Sequence, residues 1–570
     1  MKTTRIILAL FCLVAISLVS CTQKKTAPAS AQDIVPKPVS ILQKEGNPVI
    51  LTKKTVILYD QNFKDQAKYL KDQLAQQCGW TSLSLVENTP QTTDRQPESA
   101  IVLLSGGSSH SDTDKAEAYK LYTVDENSVI IEAPTIRGFI NGIQSLLQLF
   151  PVENADEVAI QPVEIYDYPR FAYRGMHLDV VRHMFSVDFV KKYIDYLAFH
   201  KFNTLHWHLT DDQGWRIEML SYPKLNSIGS WRNSTLIGHF FDEPVRYDPN
   251  RYGGFYTRSE VKDILKYAEV RGIMVIPEID IPGHSRATIA AYPEFSTKPD
   301  TTWNVAYTWG MYNRQNNVLA PRPETFEFLK TVFGEVADLF PAPYLHIGGD
   351  ECSKKWWKED PFCQQFIKAN GLKDEADIQT YIVNEVVKYV QNKGKIIIGW
   401  DEILEGELDP AAVIMSWRGE KGGISAAKRK HKAVMTPSSV MYFNRYQTKS
   451  KRDSLQIPGY IPLEVVYAYE PVPEALKKEG LKDYILGAQA CVWTEYIPTE
   501  KDVEYMIFPR MTALSEVLWV SSEKKDFDDF KRRLKLNIIP RYNLWNSDYC
   551  RDYEEWTTAR VKEGEQGVID

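Results

Sequence analysis

The spacing of apolar residues changes along the chain and divides it into two regions. Between residues 34 and 165, short apolar runs alternate with two segments whose apolar positions recur every three or four residues. A short apolar run indicates a strand, and a period near 3.6 indicates a helix. The pattern predicts helices over residues 65–77 and 135–149 and strands at 49–51, 55–59, 100–104 and 129–131. We expect a small α+β domain here.

From about residue 170, strand-like runs alternate with helical ones. Eight such runs occur, at residues 175–180, 204–209, 273–279, 344–348, 395–399, 412–416, 433–435 and 486–492. The count of eight, without a glycine-rich dinucleotide turn, favours a parallel (β/α)8 TIM barrel over a doubly wound sheet. We therefore predict an α/β fold, with a catalytic barrel over residues 166–520, the α+β domain at 34–165 before it and a helical extension at 521–570.

Polar and aromatic residues gather where the predicted strands end. In barrels of this kind, chemistry takes place at the carboxyl ends of the strands. The residues at these ends are Asp179, Arg182, His183, His208, Asp211, Asp212, Glu278, Asp280, His284, Asp350, Glu351, Trp400, Asp401, Glu402, Trp417, Arg418, Tyr442, Asn444, Trp493 and Glu495. This distribution predicts an enzyme whose pocket is acidic and has aromatic walls.

The start of the chain has the features of an export signal. Lys2 and Arg5 precede an apolar run at residues 6–19, which is too short for a comfortable membrane span. The run ends in Leu18-Val19-Ser20-Cys21, which resembles the bacterial lipobox. We expect removal of residues 1–20, a lipid anchor on Cys21 as the only membrane contact, a tether at 21–33, and a location in the bacterial cell envelope.

Charge and pocket composition narrow the ligand. A net charge of −7 argues against non-specific binding of nucleic acid, which needs a basic surface. Carboxylates beside tryptophan faces suit a neutral sugar. Asp350 and Glu351 are adjacent, so they do not fit the usual pair of carboxyls facing each other across a glycosidic bond. One carboxyl would instead protonate the leaving oxygen, while the other supports a nucleophile that belongs to the substrate, such as an N-acetyl group.

The sequence also contains features of two other functions. A metal-dependent barrel hydrolase is suggested by the pair His206 and His208, with His284 and His346 as further ligands. No second HxH and no HExxH is present, and we expect no metal or other cofactor. A catalytically inactive sugar-binding protein is disfavoured because both acidic residues of the pair Asp350-Glu351 are intact.

Seven motifs in order resemble one enzyme family. They are YRGMHLD at 173–179, HLTDDQGWR at 208–216, PEIDIPGH at 277–284, HIGGDE at 346–351, GWDE at 399–402, SWRG at 416–419 and WTE at 493–495. On these motifs the chain resembles glycoside hydrolase family 20, the β-N-acetylhexosaminidases, over about residues 34–520. The resemblance implies removal of terminal β-linked GlcNAc or GalNAc from a glycan, with retention, through an oxazolinium-like intermediate.

The resemblance also implies catalytic roles. Glu351 is the general acid and then the general base, and Asp350 accepts a hydrogen bond from the acetamido N–H. Tyr442 donates to the acetamido oxygen. Asp211 and His284 form a relay that positions Glu351, and we expect Asp211 rather than its neighbour Asp212 in this role.

For substrate binding, the resemblance implies an aromatic pocket with polar groups at its rim. Its walls are Trp400, Trp417 and Trp493. Arg174 is expected to bind the hydroxyls at C3 and C4, and Glu495 those at C4 and C6.

One position departs from many bacterial members of the family. Where these carry an aspartate, this chain has Asn444 followed by Arg445. Loss of a carboxylate and gain of a cation near C6 would favour a negative substituent. We therefore expect tolerance of 6-sulfated GlcNAc, with Asn444 and Arg445 as substrate-binding residues.

Overall fold

The computed structural model describes residues 30–89, 97–106, 115–449 and 454–552. The expected signal peptide and Cys21 lie outside these ranges. In the described part of the chain, the helices are all too short or too polar to span a bilayer.

The N-terminal domain is built on a twisted mixed sheet. Its strands are β1 Ser40–Gln43, β2 Val49–Thr52, β3 Val56–Tyr59, β4 Ser84–Glu87, β5 Ala100–Ser105, β6 Tyr119–Val124, β7 Ser128–Ala133, β8 Glu157–Ile160 and β9 Val163–Asp167. Seven of them form one sheet in the order β1-β9-β6-β7-β5-β3-β4, and β2 pairs with β8. The predicted helices are present as Lys64–Cys78 and Ile136–Gln148. Strands β1, β4, β6, β8 and β9 were not predicted, because polar residues flank or interrupt their apolar runs.

The eight predicted barrel strands form a closed parallel barrel, so this fold prediction is confirmed. They are Tyr173–Asp179, Thr204–His208, Met274–Glu278, Tyr344–His346, Ile396–Trp400, Val413–Ser416, Ala433–Met435 and Ile485–Ala490. The register aligns Asp179 with His208, His208 with Glu278, and Glu278 with His346. Polar residues at the carboxyl ends of the first four strands therefore lie at one level, at the mouth of the barrel.

Helices surround the barrel, and several of them begin with a side-chain cap. Ser186 caps Val187–Phe199, and Thr257 forms a capping box with Glu260 at the start of Arg258–Val270. The others are Arg286–Ala291, Pro323–Leu339, Lys355–Lys358, Pro361–Asn370, Glu375–Gln391, Lys421–Lys428, Ser438–Met441, Leu463–Ala468, Glu474–Lys478, Glu500–Ile507 and Arg510–Trp519. The long loop after the second strand contains three short antiparallel ladders.

The C-terminal segment joins the barrel to the N-terminal domain. It contains helices Phe527–Arg533 and Ile539–Leu544, separated by a π-helical turn at Leu534–Ile538. Buried Arg533 pairs with Glu516 of the barrel at 2.6 Å, and Asn537 donates to Gln148 of the N-terminal domain at 3.1 Å. These buried polar contacts fix the segment to both domains.

Candidate active site

Four of the predicted catalytic residues meet at the mouth of the barrel. His284 Nδ1 lies 3.0 Å from Asp211 Oδ1. On its other side, His284 Nε2 lies 3.6 Å from Glu351 Oε2 and 3.7 Å from Asp350 Oδ2. The arrangement is a carboxylate–imidazole–carboxylate chain that ends at the Asp350–Glu351 pair.

The backbone after the fourth strand turns both acidic side chains into the mouth. Gly348 has φ +66°, and a Cβ at this position would lie 1.7 Å from Asp280 Oδ1, so only glycine fits. Glu351 and His284 themselves have φ of +43° and +47°. Left-handed conformations are costly for such residues and tend to occur at functional sites, where the surrounding structure enforces them.

Asp350 and Glu351 differ in exposure and in proton affinity. Burial, opposed by His284 and reinforced by the charge of Glu351, raises the pKa of Asp350 to about 7. The Glu351 side chain is 43% exposed. Although burial works against it, the proximity and charge of His284 lower the pKa of Glu351. In this structure a proton shared by the two carboxyls therefore resides mainly on Asp350. A general-acid role for Glu351 requires the opposite distribution, with the proton on Glu351.

Asp350 presents an acceptor to the pocket. Its Oδ1 is buried and has no hydrogen-bond partner among the described residues. A buried carboxylate oxygen is costly unless a donor reaches it. The site is therefore suited to a ligand that brings an N–H or O–H group to this atom.

The choice of Asp211 over Asp212 agrees with the geometry. Asp212 Oδ2 lies 3.6 Å from His284 Nδ1, farther than Asp211 Oδ1. The carboxylate of Asp212 also accepts from the Arg286 backbone N–H and from Asn317. Asp212 therefore holds neighbouring loop residues, whereas Asp211 contacts His284 in the relay.

Aromatic rings enclose the space beside Asp350. Trp417 and Tyr442 stack with their centroids 6.1 Å apart, and Trp493 lies 5.9 Å from Trp400 and 6.3 Å from Tyr442. Burial holds the pKa of Tyr442 well above its usual value, so its phenol remains a donor. The structure thus brings together all four predicted aromatic residues.

Glu402, another residue at a strand end, also takes part in the site. Burial, followed by the charges of Asp350 and Asp401, raises its pKa to about 9. Its carboxyl accepts from Trp417 Nε1 at 2.9 Å. Glu402 is therefore a neutral acid at neutral pH that holds one wall of the pocket.

The prediction that Arg174 binds sugar hydroxyls is wrong. Arg174 lies near the amino end of the first barrel strand, five residues before Asp179 and so roughly 16 Å from the mouth. Its buried guanidinium donates to the Lys201 carbonyl and pairs with Glu117 of the N-terminal domain. It joins the two domains at the base of the barrel.

Arg182 occupies the place expected for a sugar-binding arginine. It contacts Asp179 at 3.0 Å and Asp211 at 2.8 Å, and its guanidinium lies 5.1 Å from the centre of the Trp493 ring. The sequence also indicates a strand-end position for Arg182, although the family resemblance pointed to Arg174. The position of Arg182 three residues after Asp179 is the sequence feature that indicates a place in the site, because residues just beyond a strand end can reach back over the mouth of the barrel.

Glu495, Asn444 and Arg445 lie at the rim. Glu495 Oε1 is 4.0 Å from Arg182 Nη1. Asn444 is buried, and its Oδ1 has no partner among the described residues. Arg445 is partly buried in a short strand that pairs with Ile457–Tyr460. Burial lowers the pKa of Arg445, which stays a cation.

Several histidine and carboxylate side chains lie close enough to one another to be examined as metal ligands. Among the described residues there are four such groups, two sharing Glu278 and two sharing His284. Around Glu278 the separations from His208, His206 and His346 are 2.5, 3.1 and 3.1 Å. These are the spacings of hydrogen bonds and ion pairs between neighbouring side chains.

The fold and the site together define a class. A closed (β/α)8 barrel with a carboxylate pair, a histidine relay and a tryptophan-walled pocket at its mouth is the architecture of a glycoside hydrolase.

Comparison with known proteins gives the family. Residues 171–522 match the model of the glycosyl hydrolase family 20 catalytic domain, and residues 31–168 match domain 2 of the same family. The chain is 40% identical to a β-hexosaminidase of Porphyromonas gingivalis over 94% of its length and 67% of the relative. A β-hexosaminidase of Vibrio furnissii is 34% identical, over 85% of this chain and 76% of that protein.

Among solved structures, a family 20 exo-β-N-acetylglucosaminidase of Vibrio harveyi in complex with N-acetylglucosamine superposes with a TM-score of 0.80. The two chains are 33% identical, over 93% of this chain and 80% of that one. The chain therefore belongs to glycosyl hydrolase family 20 and is a glycoside hydrolase of the β-hexosaminidase type.

Proposed function

We propose that the enzyme removes terminal, non-reducing β-linked N-acetylhexosamine from glycans, with retention, using the acetamido group of the substrate as nucleophile. The observation that carries this proposal is the buried, unpartnered Oδ1 of Asp350 beside Glu351 and the tryptophan-walled pocket. An acetamido N–H supplies the missing donor, and the same contact orients the carbonyl oxygen towards the anomeric carbon.

The proton distribution in the free enzyme fits this chemistry once substrate binds. An N–H donated to Asp350 stabilises its ionised form and lowers its pKa. The proton of the pair then passes to Glu351, which protonates the leaving oxygen. Asp350 stabilises the positive charge of the oxazolinium-like intermediate, and Tyr442 donates to the oxygen that attacks. Glu351 finally takes a proton from the water that opens the intermediate.

The first test compares two aryl glycosides that differ only at C2. We expect rapid turnover of the N-acetyl-β-glucosaminide and no measurable turnover of the β-glucoside, because only the first carries the nucleophile. Proton NMR of the earliest product should show the β-anomer. Equal turnover of the glucoside, or a sugar found covalently attached to a side chain, would exclude the proposed reaction.

Arg445 supports a second, finer proposal: the pocket tolerates a 6-sulfate on GlcNAc. Arg445 is a partly buried cation near Tyr442, and no carboxylate stands at the neighbouring position 444. A fixed cation in a partly desolvated site attracts a sulfate more strongly than one in bulk water.

We predict that Arg445→Leu lowers kcat/KM for a 6-sulfated aryl substrate roughly tenfold and leaves the unsulfated substrate within about threefold of wild type. The ratio of the two kcat/KM values is the measurement. Raised salt should weaken the sulfate preference of the wild-type enzyme but not that of the variant. An unchanged ratio in Arg445→Leu would show that the arginine does not read the sulfate.

For location, we propose a lipid-anchored enzyme of the bacterial cell envelope, supported by the Leu18–Cys21 lipobox-like sequence. Expressed in a bacterial host, the wild-type chain should fractionate with membranes and label with radioactive palmitate. Cys21→Ser should lose the label and become soluble, while Cys12→Ser, within the apolar run, should keep it. Soluble, unlabelled wild-type protein would contradict an anchor.

A further inference from the structure

A buried carboxylate lies beneath the relay, at the centre of the barrel. Glu278 ends the third barrel strand and is fully buried. Around its oxygens stand nitrogens of His177 at 3.9 Å, His206 at 3.1 Å, His208 at 2.5 Å, His346 at 3.1 Å and Trp400 at 2.9 Å. None of these groups has a role in the reaction described above, apart from the wall formed by Trp400.

His208 differs from the other histidines because carboxylates face both of its ring nitrogens. Nδ1 lies 2.5 Å from Glu278, and Nε2 lies 2.9 Å from Asp211. An ionised carboxylate only accepts hydrogen bonds, so both nitrogens must carry a proton, and the ring is an imidazolium. Burial disfavours this charge, but Glu278 and Asp211 outweigh it and raise the pKa of His208 to about 10.

His206 lies two residues earlier on the same strand and has a different chemical state. Its Nδ1 lies 2.9 Å from the amide nitrogen of Gln489, which can only donate. Nδ1 therefore accepts with its lone pair and carries no proton, so the ring is neutral. Burial lowers its pKa to about 4. His206 contacts Glu278 as His208 does, but its other nitrogen contacts Gln489, whereas the other nitrogen of His208 contacts Asp211. It is a matched control for His208.

Through Asp211, His208 connects the buried carboxylate to the catalytic pair. The separations along Glu278–His208–Asp211–His284–Glu351 are 2.5, 2.9, 3.0 and 3.6 Å.

Several other groups act on this chain of contacts. Arg182 is a second cation on Asp211, at 2.8 Å. The charge of Asp179 and the rings of His177 and Trp493, at 5.7 and 4.9 Å, complete the surroundings of His208. Two fixed cations therefore hold Asp211 ionised and immobile behind His284.

We propose that His208 is a positioning residue for the reaction: its imidazolium, held by Glu278, fixes Asp211 and thereby sets the orientation and proton affinity of Glu351 through His284. The inference rests on the proposed role of Glu351. The role of His208 is separate from that of Asp211 and His284, because those two residues alone would not require a charged histidine behind them.

The test uses the dependence on leaving group, which a purely structural role would not change. His208→Gln is expected to lower kcat/KM for the disaccharide N,N′-diacetylchitobiose roughly tenfold to a hundredfold, and for an activated aryl glycoside less than about threefold. The reason is that proton delivery limits only the poor leaving group. KM should stay close to wild type, because His208 does not reach the substrate. His206→Gln should keep the wild-type ratio between the two substrates.

Glu278→Gln is the second variant in case His208→Gln does not fold. It preserves volume, and its amide nitrogen can donate to Nδ1 of a neutral His208 while its oxygen still accepts from Trp400 Nε1, so these two hydrogen bonds remain and the charge is lost. It should shift the substrate ratio in the same direction, by a smaller factor. Thermal unfolding checks that each variant is folded.

The proposal is overturned if His208→Gln and Glu278→Gln slow both substrates equally, or if His206→Gln shifts the ratio as much as His208→Gln. Glu351→Gln, measured in parallel, distinguishes failure of the inference about His208 from failure of the proposed function. If Glu351→Gln itself shows no dependence on leaving group, the role of Glu351 is wrong. If it shows a strong dependence and His208→Gln does not, only the inference about His208 fails.

Discussion

Asp350→Asn is expected to lower kcat roughly 10²–10³-fold, even for an aryl glycoside with an excellent leaving group. The carboxylate does not donate the proton, so an activated leaving group cannot compensate for its loss. What disappears is the negative charge that stabilises the oxazolinium-like intermediate and the acceptor for the acetamido N–H. Steady-state kinetics on activated and unactivated substrates should show losses of similar size.

Glu402→Gln is the matched control for Asp350→Asn. Glu402 is also a buried carboxyl in this pocket, close enough to Asp350 for their charges to interact, but its pKa of about 9 keeps it neutral. Replacing it with an amide therefore removes no charge, and we expect a far smaller loss of kcat. If both variants were impaired equally, the effect at Asp350 would be one of packing, and the assisted mechanism would lose its main support.

Glu351→Gln should instead discriminate between substrates. General acid catalysis is worth roughly 10²–10⁴-fold when the leaving group is a sugar, and much less when it is a good leaving group. We expect a loss of kcat/KM in that range for a disaccharide and of about tenfold or less for an activated aryl glycoside. A uniform loss across a series of leaving groups would contradict the role of Glu351 as the acid.

The same variant should change the pH profile. Near neutral pH, Asp350 and Glu351 together hold one proton, which leaves as the pH rises through about 7. Above that value no proton remains for the leaving oxygen, so kcat/KM of the wild-type enzyme for a disaccharide should fall on the basic side. Glu351→Gln does not need this proton to cleave an activated substrate, so its kcat/KM for that substrate should not fall at basic pH.

Much of the architecture follows from local pattern. The eight apolar runs are short, rich in branched residues and separated by helical stretches, and each became a barrel strand. Because parallel strands bring their carboxyl ends to one edge, the residues after each run were expected to meet at the mouth. The acidic pair, the relay and the four aromatic residues did so.

The failure at Arg174 shows where local pattern is insufficient. Arg174 is the second residue of the strand that ends at Asp179, and Arg182 lies three residues beyond its end. Which of them faces the pocket depends on the end of the strand at which each lies and on its partners. The partner of Arg174, Glu117, is in a different domain, 57 residues away along the chain.

The sequence by itself determined the barrel, the end of it at which chemistry occurs and the identity of the two acidic residues, because strand period and strand direction are local properties. Only the tertiary structure decided that Arg182 and not Arg174 lies in the site, that Glu402 is neutral and that His208 is charged while His206 is not. Those properties depend on burial and on which groups from other strands face each atom, and such contacts join residues that are far apart in the chain.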